Sequence, residues 1–90
     1  MRSQMRSQMS GIEQEILDLV ALQLGVDTVE PGARLVEELG AESADVLNLV
    51  ATLEDRYEIE IDEEEIPQLS TVADVHHLIQ RRLQQRAGQR

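Results

Sequence analysis

Leu35-Val36-Glu37-Glu38-Leu39-Gly40-Ala41-Glu42-Ser43-Ala44-Asp45-Val46-Leu47-Asn48-Leu49-Val50 joins a glycine-containing acidic loop to an amphipathic helix. Val46, Leu49 and Val50, continued by Leu53 and Tyr57, recur three or four residues apart and form one apolar stripe. This spacing predicts a helix from about Ser43 to Tyr57. Leu47 and Ala51, four apart, lie on a flank of the stripe beside acidic positions. Asp45 sits in the first turn, where a negative charge suits the helix dipole. Ser43 opens the helix, and taken alone it reads as an ordinary N-cap. A hydroxyl in that role accepts a backbone N–H and contributes roughly 0.5–2 kcal/mol.

Upstream, residues 25–42 form a long connection with Gly25, Pro31, Gly32 and Gly40. Leu35, Val36 and Leu39 fit one short helical turn that anchors this loop to the core. Connections of such length in a small domain tend to be functional or well packed. Before it, Ile12, Ile16, Leu17, Val20, Ala21 and Leu24 recur at helical spacing, and Gly25 stops the run. Ser10 to Glu13 has capping-box spacing, so the first helix is expected over about 11–24. Residues 1–9, MRSQMRSQM, repeat a four-residue unit without apolar periodicity and are expected to be a disordered tail.

Downstream, Glu58-Ile59-Glu60-Ile61-Asp62 alternates like a strand, but no other segment offers a pairing partner. An extended loop with Ile59 and Ile61 turned inward is expected instead. Glu63 to Ile66 fit one helical turn, limited by Pro67. Ser70 or Thr71 then caps a last helix over about 72–84, with Val72, Val75, Ile79 and Leu83 on one face and Asp74 at capping-box spacing from Thr71. Residues 85–90 read as a flexible polar tail. The fold class is all-α: a small antiparallel four-helix bundle, three main helices plus one short helix, with its domain over 10–84.

Composition narrows the function. Ninety residues support one domain with one small core. Hydrophobic residues make up 41% but aromatics only 1%, so the core is aliphatic. There is no cysteine, which removes disulfides, thiolate metal sites and a cysteine nucleophile. No apolar run approaches the roughly 20 residues that cross a bilayer, and no secretory signal is evident, so a cytoplasmic protein is expected. The net charge is −10, and all eight basic residues are arginines. Between Asp27 and Asp74, fifteen acidic residues oppose two arginines. Such a field repels nucleic acid and complements basic protein surfaces.

Other chemical candidates are weak. His76 and His77 are adjacent, so on a helix they point in different directions and form no paired metal site. Glu58 to Glu65 is rich in carboxylates but lacks the glycine and ligand spacing of a calcium loop. No metal site and no serine–histidine–acid or P-loop constellation is expected, and the chain does not read as an enzyme.

Leu39-Gly40-Ala41-Glu42-Ser43-Ala44-Asp45 resembles the acyl carrier protein signature, a Leu-Gly-Ala/Met-Asp-Ser-Leu-Asp core followed by an apolar–acidic helix. Gln23-Leu24-Gly25-Val26 resembles the end of that family's first helix, and Leu53-Glu54-Asp55-Arg56-Tyr57 its Leu-Glu-Glu-Glu-Phe. Leu69-Ser70-Thr71-Val72 resembles the opening of its last helix. The likeness spans about residues 11–83. It implies a four-helix carrier whose motif serine, here Ser43, accepts 4′-phosphopantetheine from coenzyme A. The linking phosphodiester would then lie at a helix N-terminus, where free N–H groups favour an anion. The implied partners are a phosphopantetheinyl transferase and acyl-processing enzymes with basic docking patches, in fatty-acid, polyketide or related assembly. Glu42, Asp45, Glu54 and Asp55, with Leu47 and Ala51 between them, are expected to be the docking face of a monomeric carrier.

Three positions depart from the family. Glu42 replaces the usual Asp, Ala44 the usual Leu, and Ala51 a frequent Met. The two alanines shrink the apolar grip around Ser43, which points to a specialised carrier rather than the general fatty-acid one. The alternative they leave open is a carrier-fold interaction module that docks basic partners without a prosthetic group.

Overall fold

The computed structural model describes residues 3–88, with side chains over 11–85. Three α-helices, α1 (Ser3–Leu24), α2 (Ser43–Tyr57) and α3 (Val72–Gly88), enclose a 3-10 helix, Glu63–Gln68. No strand occurs among the described residues, as the all-α reading requires. One antiparallel backbone bridge joins Arg34 to Thr71.

The core is aliphatic. Ile16 and Val20 of α1, Leu49, Val50 and Leu53 of α2, and Val72, Val75, Leu78 and Ile79 of α3 are buried, with Leu35, Ala41, Ile59 and Ile61 from the connections. No polar or charged side chain is buried among the described residues. Each aliphatic side chain taken out of water contributes roughly 1.5–3 kcal/mol. Residues touching this core run from Ile12 to Leu83.

The bounds of α2 match the apolar stripe, but both outer helices are longer than the sequence pattern predicts. α1 begins at Ser3 and passes through Ser10, so Ser10 is not its cap. Met, Arg and Gln are good helix formers, and no proline interrupts them. Gly11 is carried inside the helix at a cost of about 1 kcal/mol. α3 likewise continues beyond Gln84 to Gly88 through Gln, Arg and Ala. Residues 1, 2, 89 and 90 of the expected tails lie outside the described residues.

Gly25, at φ 73°, ends α1, and the Val26 N–H returns to the Ala21 carbonyl at 3.0 Å. The loop then lies against the start of α3. The Leu35 N–H donates to the Ser70 carbonyl at 2.9 Å. The N–H groups of Val72 and Ala73, orphan donors of α3, reach the carbonyls of Ala33 (3.1 Å) and Pro31 (2.8 Å). Thr71 completes the cap, its Oγ1 accepting the Asp74 N–H at 3.2 Å while Asp74 Oδ2 accepts the Thr71 N–H at 3.0 Å. This is the capping box expected at those positions.

The segment after α2 is extended with Ile59 and Ile61 buried, as expected. Pro67 lies inside the 3-10 helix instead of ending it. A proline removes only one donor there, and the Leu69 N–H still bonds the Ile66 carbonyl at 3.1 Å.

Candidate functional site

Ser43 is the first residue of α2, not its cap. Glu42 holds the cap position in extended backbone, φ −100° and ψ 171°. The Asp45 carboxylate reaches back to accept the Glu42 N–H at 3.0 Å. The first helical bond runs from the Val46 N–H to the Glu42 carbonyl at 3.0 Å. Ser43 is exposed, and its hydroxyl is engaged by no hydrogen bond among the described residues. The N-cap reading of Ser43 is therefore corrected by one residue: its neighbours hold the helix end, and its oxygen faces solvent.

The turn before it explains this placement. The Gly40 N–H bonds the Val36 carbonyl at 3.2 Å and the Ala41 N–H the Leu35 carbonyl at 2.8 Å. Gly40 takes φ 74°, a conformation that costs other residues about 1 kcal/mol or more. The chain folds back, buries Ala41, and delivers Glu42 and Ser43 to the surface.

Ser43 borders a groove of about 540 Å³ between α2 and the 3-10 helix. Val46, Leu47, Ile66, Pro67, Leu69 and Val36 supply its largely apolar walls, and Glu63 adds a carboxylate. Leu47 is 53% exposed and Val36 60%. Val36 was expected to face the core with Leu35 and Leu39, and it does not. Leu35 and Leu39 are four apart and take the inward direction, so Val36, one residue on, must face out. That spacing was the available signal for a groove residue. The contributions of Glu63, Ile66, Pro67 and Leu69 had none, because they depend on how the 3-10 helix packs.

The expected docking residues divide. Leu47, Ala51 and Asp55 continue from Ser43 at intervals of four, all exposed, as one ridge along α2. Glu42 is exposed at the head of this ridge. Asp45 and Glu54 are partly buried and turned toward backbone. Glu54 Oε2 accepts the Ile61 N–H at 2.8 Å, so this carboxylate fastens the following loop. Neither histidine lines the groove. The rings of His76 and His77 lie 5.9 Å apart at 26°, closer than the divergence expected of adjacent residues, with His76 Nε2 buried.

This arrangement fits a tethered phosphodiester. The first-turn N–H groups of α2 beside Ser43 have no helical acceptor and offer a small positive pole. The surrounding carboxylates oppose a free anion, but a covalent link does not depend on anion affinity. Among the described residues no cluster of His, Cys, Asp or Glu could hold a metal ion, and no helix is long and apolar enough to cross a membrane.

Comparison with known proteins agrees with this geometry. The family profile described as the phosphopantetheine attachment site matches residues 14–79. An acyl carrier protein from Syntrophobacter fumaroxidans is 40% identical over 68 residues, covering 73% of this chain and 84% of its own length. One from Akkermansia muciniphila is 40% identical over 68 residues, with 73% and 85% covered. The crystal structure of an acyl carrier protein from Thermotoga maritima superposes with a TM-score of 0.73 at 26% identity, over 84% of this chain and 91% of that one. The solution structure of a holo acyl carrier protein from Geobacter metallireducens shares the fold, with a TM-score of 0.72 at 18% identity over 86% and 91% of the two chains. A helix opened by an exposed serine, an apolar groove beside it and a matching profile lead to one family: the chain belongs to the acyl carrier proteins, which bear phosphopantetheine.

Proposed function

We propose that Ser43 is the attachment residue for 4′-phosphopantetheine and that the chain carries acyl groups between enzymes, itself catalysing none of the steps. The observation that carries this reading is the Ser43 hydroxyl, exposed at the first position of α2 and not used for capping. When bound, the group supplies the terminal thiol for thioester linkage that this cysteine-free chain lacks. Gly40 and the Asp45 cap present the hydroxyl, the N-terminal N–H groups of α2 would favour the phosphate, and Val46, Ile66 and Leu69 would offer apolar surface alongside.

The docking face in this proposal is the ridge Ser43, Leu47, Ala51 and Asp55 with Glu42 at its head; Asp45 and Glu54 act mainly from behind it. Exposed ion pairs contribute only about 0–1 kcal/mol each, so contacts with basic enzyme patches are brief and salt-sensitive, as a shuttle requires. Ala44 and Ala51 leave Leu47 as the large apolar contact on the ridge, which supports a specialised carrier with few partners; in this proposal it acts as a monomer in the cytoplasm.

Intact-mass measurement after incubation with coenzyme A and a phosphopantetheinyl transferase tests the assignment. One added phosphopantetheine, absent in Ser43→Ala, is expected. An unchanged mass with several transferases, or modification that survives Ser43→Ala, would refute it and favour an interaction module without a prosthetic group.

A further inference from the structure

The wall of the groove opposite Ser43 is a weak element by itself. The 3-10 helix Glu63–Gln68 fully buries none of its residues. Its hydrogen-bond geometry is poorer than that of an α-helix, and Pro67 removes a donor. Asp62, Glu63, Glu64 and Glu65 also crowd four like charges into its start.

The three-residue period of this helix sorts its side chains. Glu63 and Ile66 are eclipsed and both line the groove beside Ser43. Asp62 and Glu65 are eclipsed on the other side, and both reach Arg82 of α3. Arg82 Nη2 lies 2.5 Å from Glu65 Oε1 and 3.4 Å from Asp62 Oδ2. The Arg82 side chain is only 20% exposed, with its Nε buried, and Glu65 is 29% exposed. This separates Arg82–Glu65 from an ordinary solvated bridge such as Arg34–Glu37, where both partners are more than 60% exposed; Asp62, 73% exposed, is the looser second contact. Nη2 donates to both carboxylates while Nη1 donates to Gln85 Oε1 at 3.0 Å, so the planar guanidinium is fixed from two sides, which a single point charge could not be.

We propose that Arg82 is a positioning residue: by gripping Asp62 and Glu65 from behind, it sets where the 3-10 helix stands as the far wall of the groove. The groove's use rests on the reading of Ser43, but the grip itself does not. Glu54, bonded to the Ile61 N–H at 2.8 Å, fastens the entry to this helix, and Arg82 fastens its first turn.

Amide hydrogen exchange by NMR on the unmodified chain tests this, with Arg81→Gln as a control that removes the same charge from an exposed neighbour. In Arg82→Gln, the Glu65 and Leu69 amides are expected to exchange about tenfold faster, while those of Leu49 to Leu53 keep their rates. Methyl shifts of Ile66 and Val36 should move with them. Arg82→Lys should recover part of the protection, and Arg81→Gln should change none of it. Glu65→Gln, which leaves Arg82 in place, should loosen the same amides. Unchanged exchange in both Arg82→Gln and Glu65→Gln would overturn the proposal, as would equal acceleration across α2 and α3. The mass experiment on Ser43 can fail without altering any of these outcomes.

Discussion

The Tyr57 hydroxyl donates a hydrogen bond to Glu15 Oε1 at 2.6 Å, joining the last turn of α2 to α1 across 42 positions of sequence. Arg56 Nε approaches the same oxygen at 3.4 Å. Tyr57→Phe should lower stability by about 1 kcal/mol in urea unfolding. Burial, and then the bond to Glu15, push the Tyr57 phenol from 10.0 up to about 12. Its folded value is raised, so this contribution is complete below pH 10 and is lost as pH rises toward 12. The bond from Tyr57, and then that from Arg56, hold the Glu15 carboxyl below its ordinary 4.5. That contribution is present above 4.5 and fades as pH falls below it. Melting temperatures across pH should show both flanks in the parent and a flatter profile in Tyr57→Phe.

The two residues at the head of α2 should respond oppositely to truncation. Asp45→Ala removes the acceptor for the Glu42 N–H and should cost about 1 kcal/mol. Ser43→Ala should stay within about 0.5 kcal/mol of the parent, because its hydroxyl caps nothing. Chemical denaturation of the unmodified variants compares them directly; equal losses would place the cap on Ser43 after all.

Much of this was legible in the sequence because it is local. The α2 stripe, Gly25 as a stop, Thr71 and Asp74 as a cap, and the inward Ile59 and Ile61 all follow from spacing within a few residues. The bridge between Arg34 and Thr71 is written in backbone groups and has no side-chain signature. Glu54 looked like a surface acid because its bond to the Ile61 N–H forms only after the chain reverses beyond α2. The cap shifted from Ser43 to Glu42 because Asp45 fits the reciprocal position for residue 42, whereas serine is the commoner capping residue.

Asp74 should prove the most consequential carboxylate for α3. Its Oδ2 accepts the N–H groups of Ser70 at 2.9 Å and Thr71 at 3.0 Å. The Thr71 bond first, then that of Ser70, hold its carboxyl below the ordinary 3.8. Asp74→Asn should cost about 1–2 kcal/mol near neutrality. Because the folded value is depressed, the gap between variant and parent should close as pH falls below 3.8. Urea titrations at neutral and strongly acid pH measure that gap.

Glu58 offers a stabilising change. It closes α2 in the left-handed region, φ 55° and ψ 52°, while the Ile59 N–H returns to the Glu54 carbonyl at 3.1 Å. Glycine adopts this conformation without the Cβ penalty, so Glu58→Gly should gain about 0.5–1 kcal/mol and raise the melting temperature by about 4 °C. Calorimetry of the two chains decides it; a lower melting point would mean that the glutamate side chain contributes more than its backbone strain costs.

The contacts between residues 31–35 and 70–73 run through amide and carbonyl groups that every substitution except proline preserves. The exterior of the loop ahead of Ser43 can therefore drift in charge and shape while its path, and the hydroxyl it delivers, stay put. With Ser43 as the proposed attachment point, a carrier built this way can acquire new enzyme preferences by changing its coat without disturbing its handle.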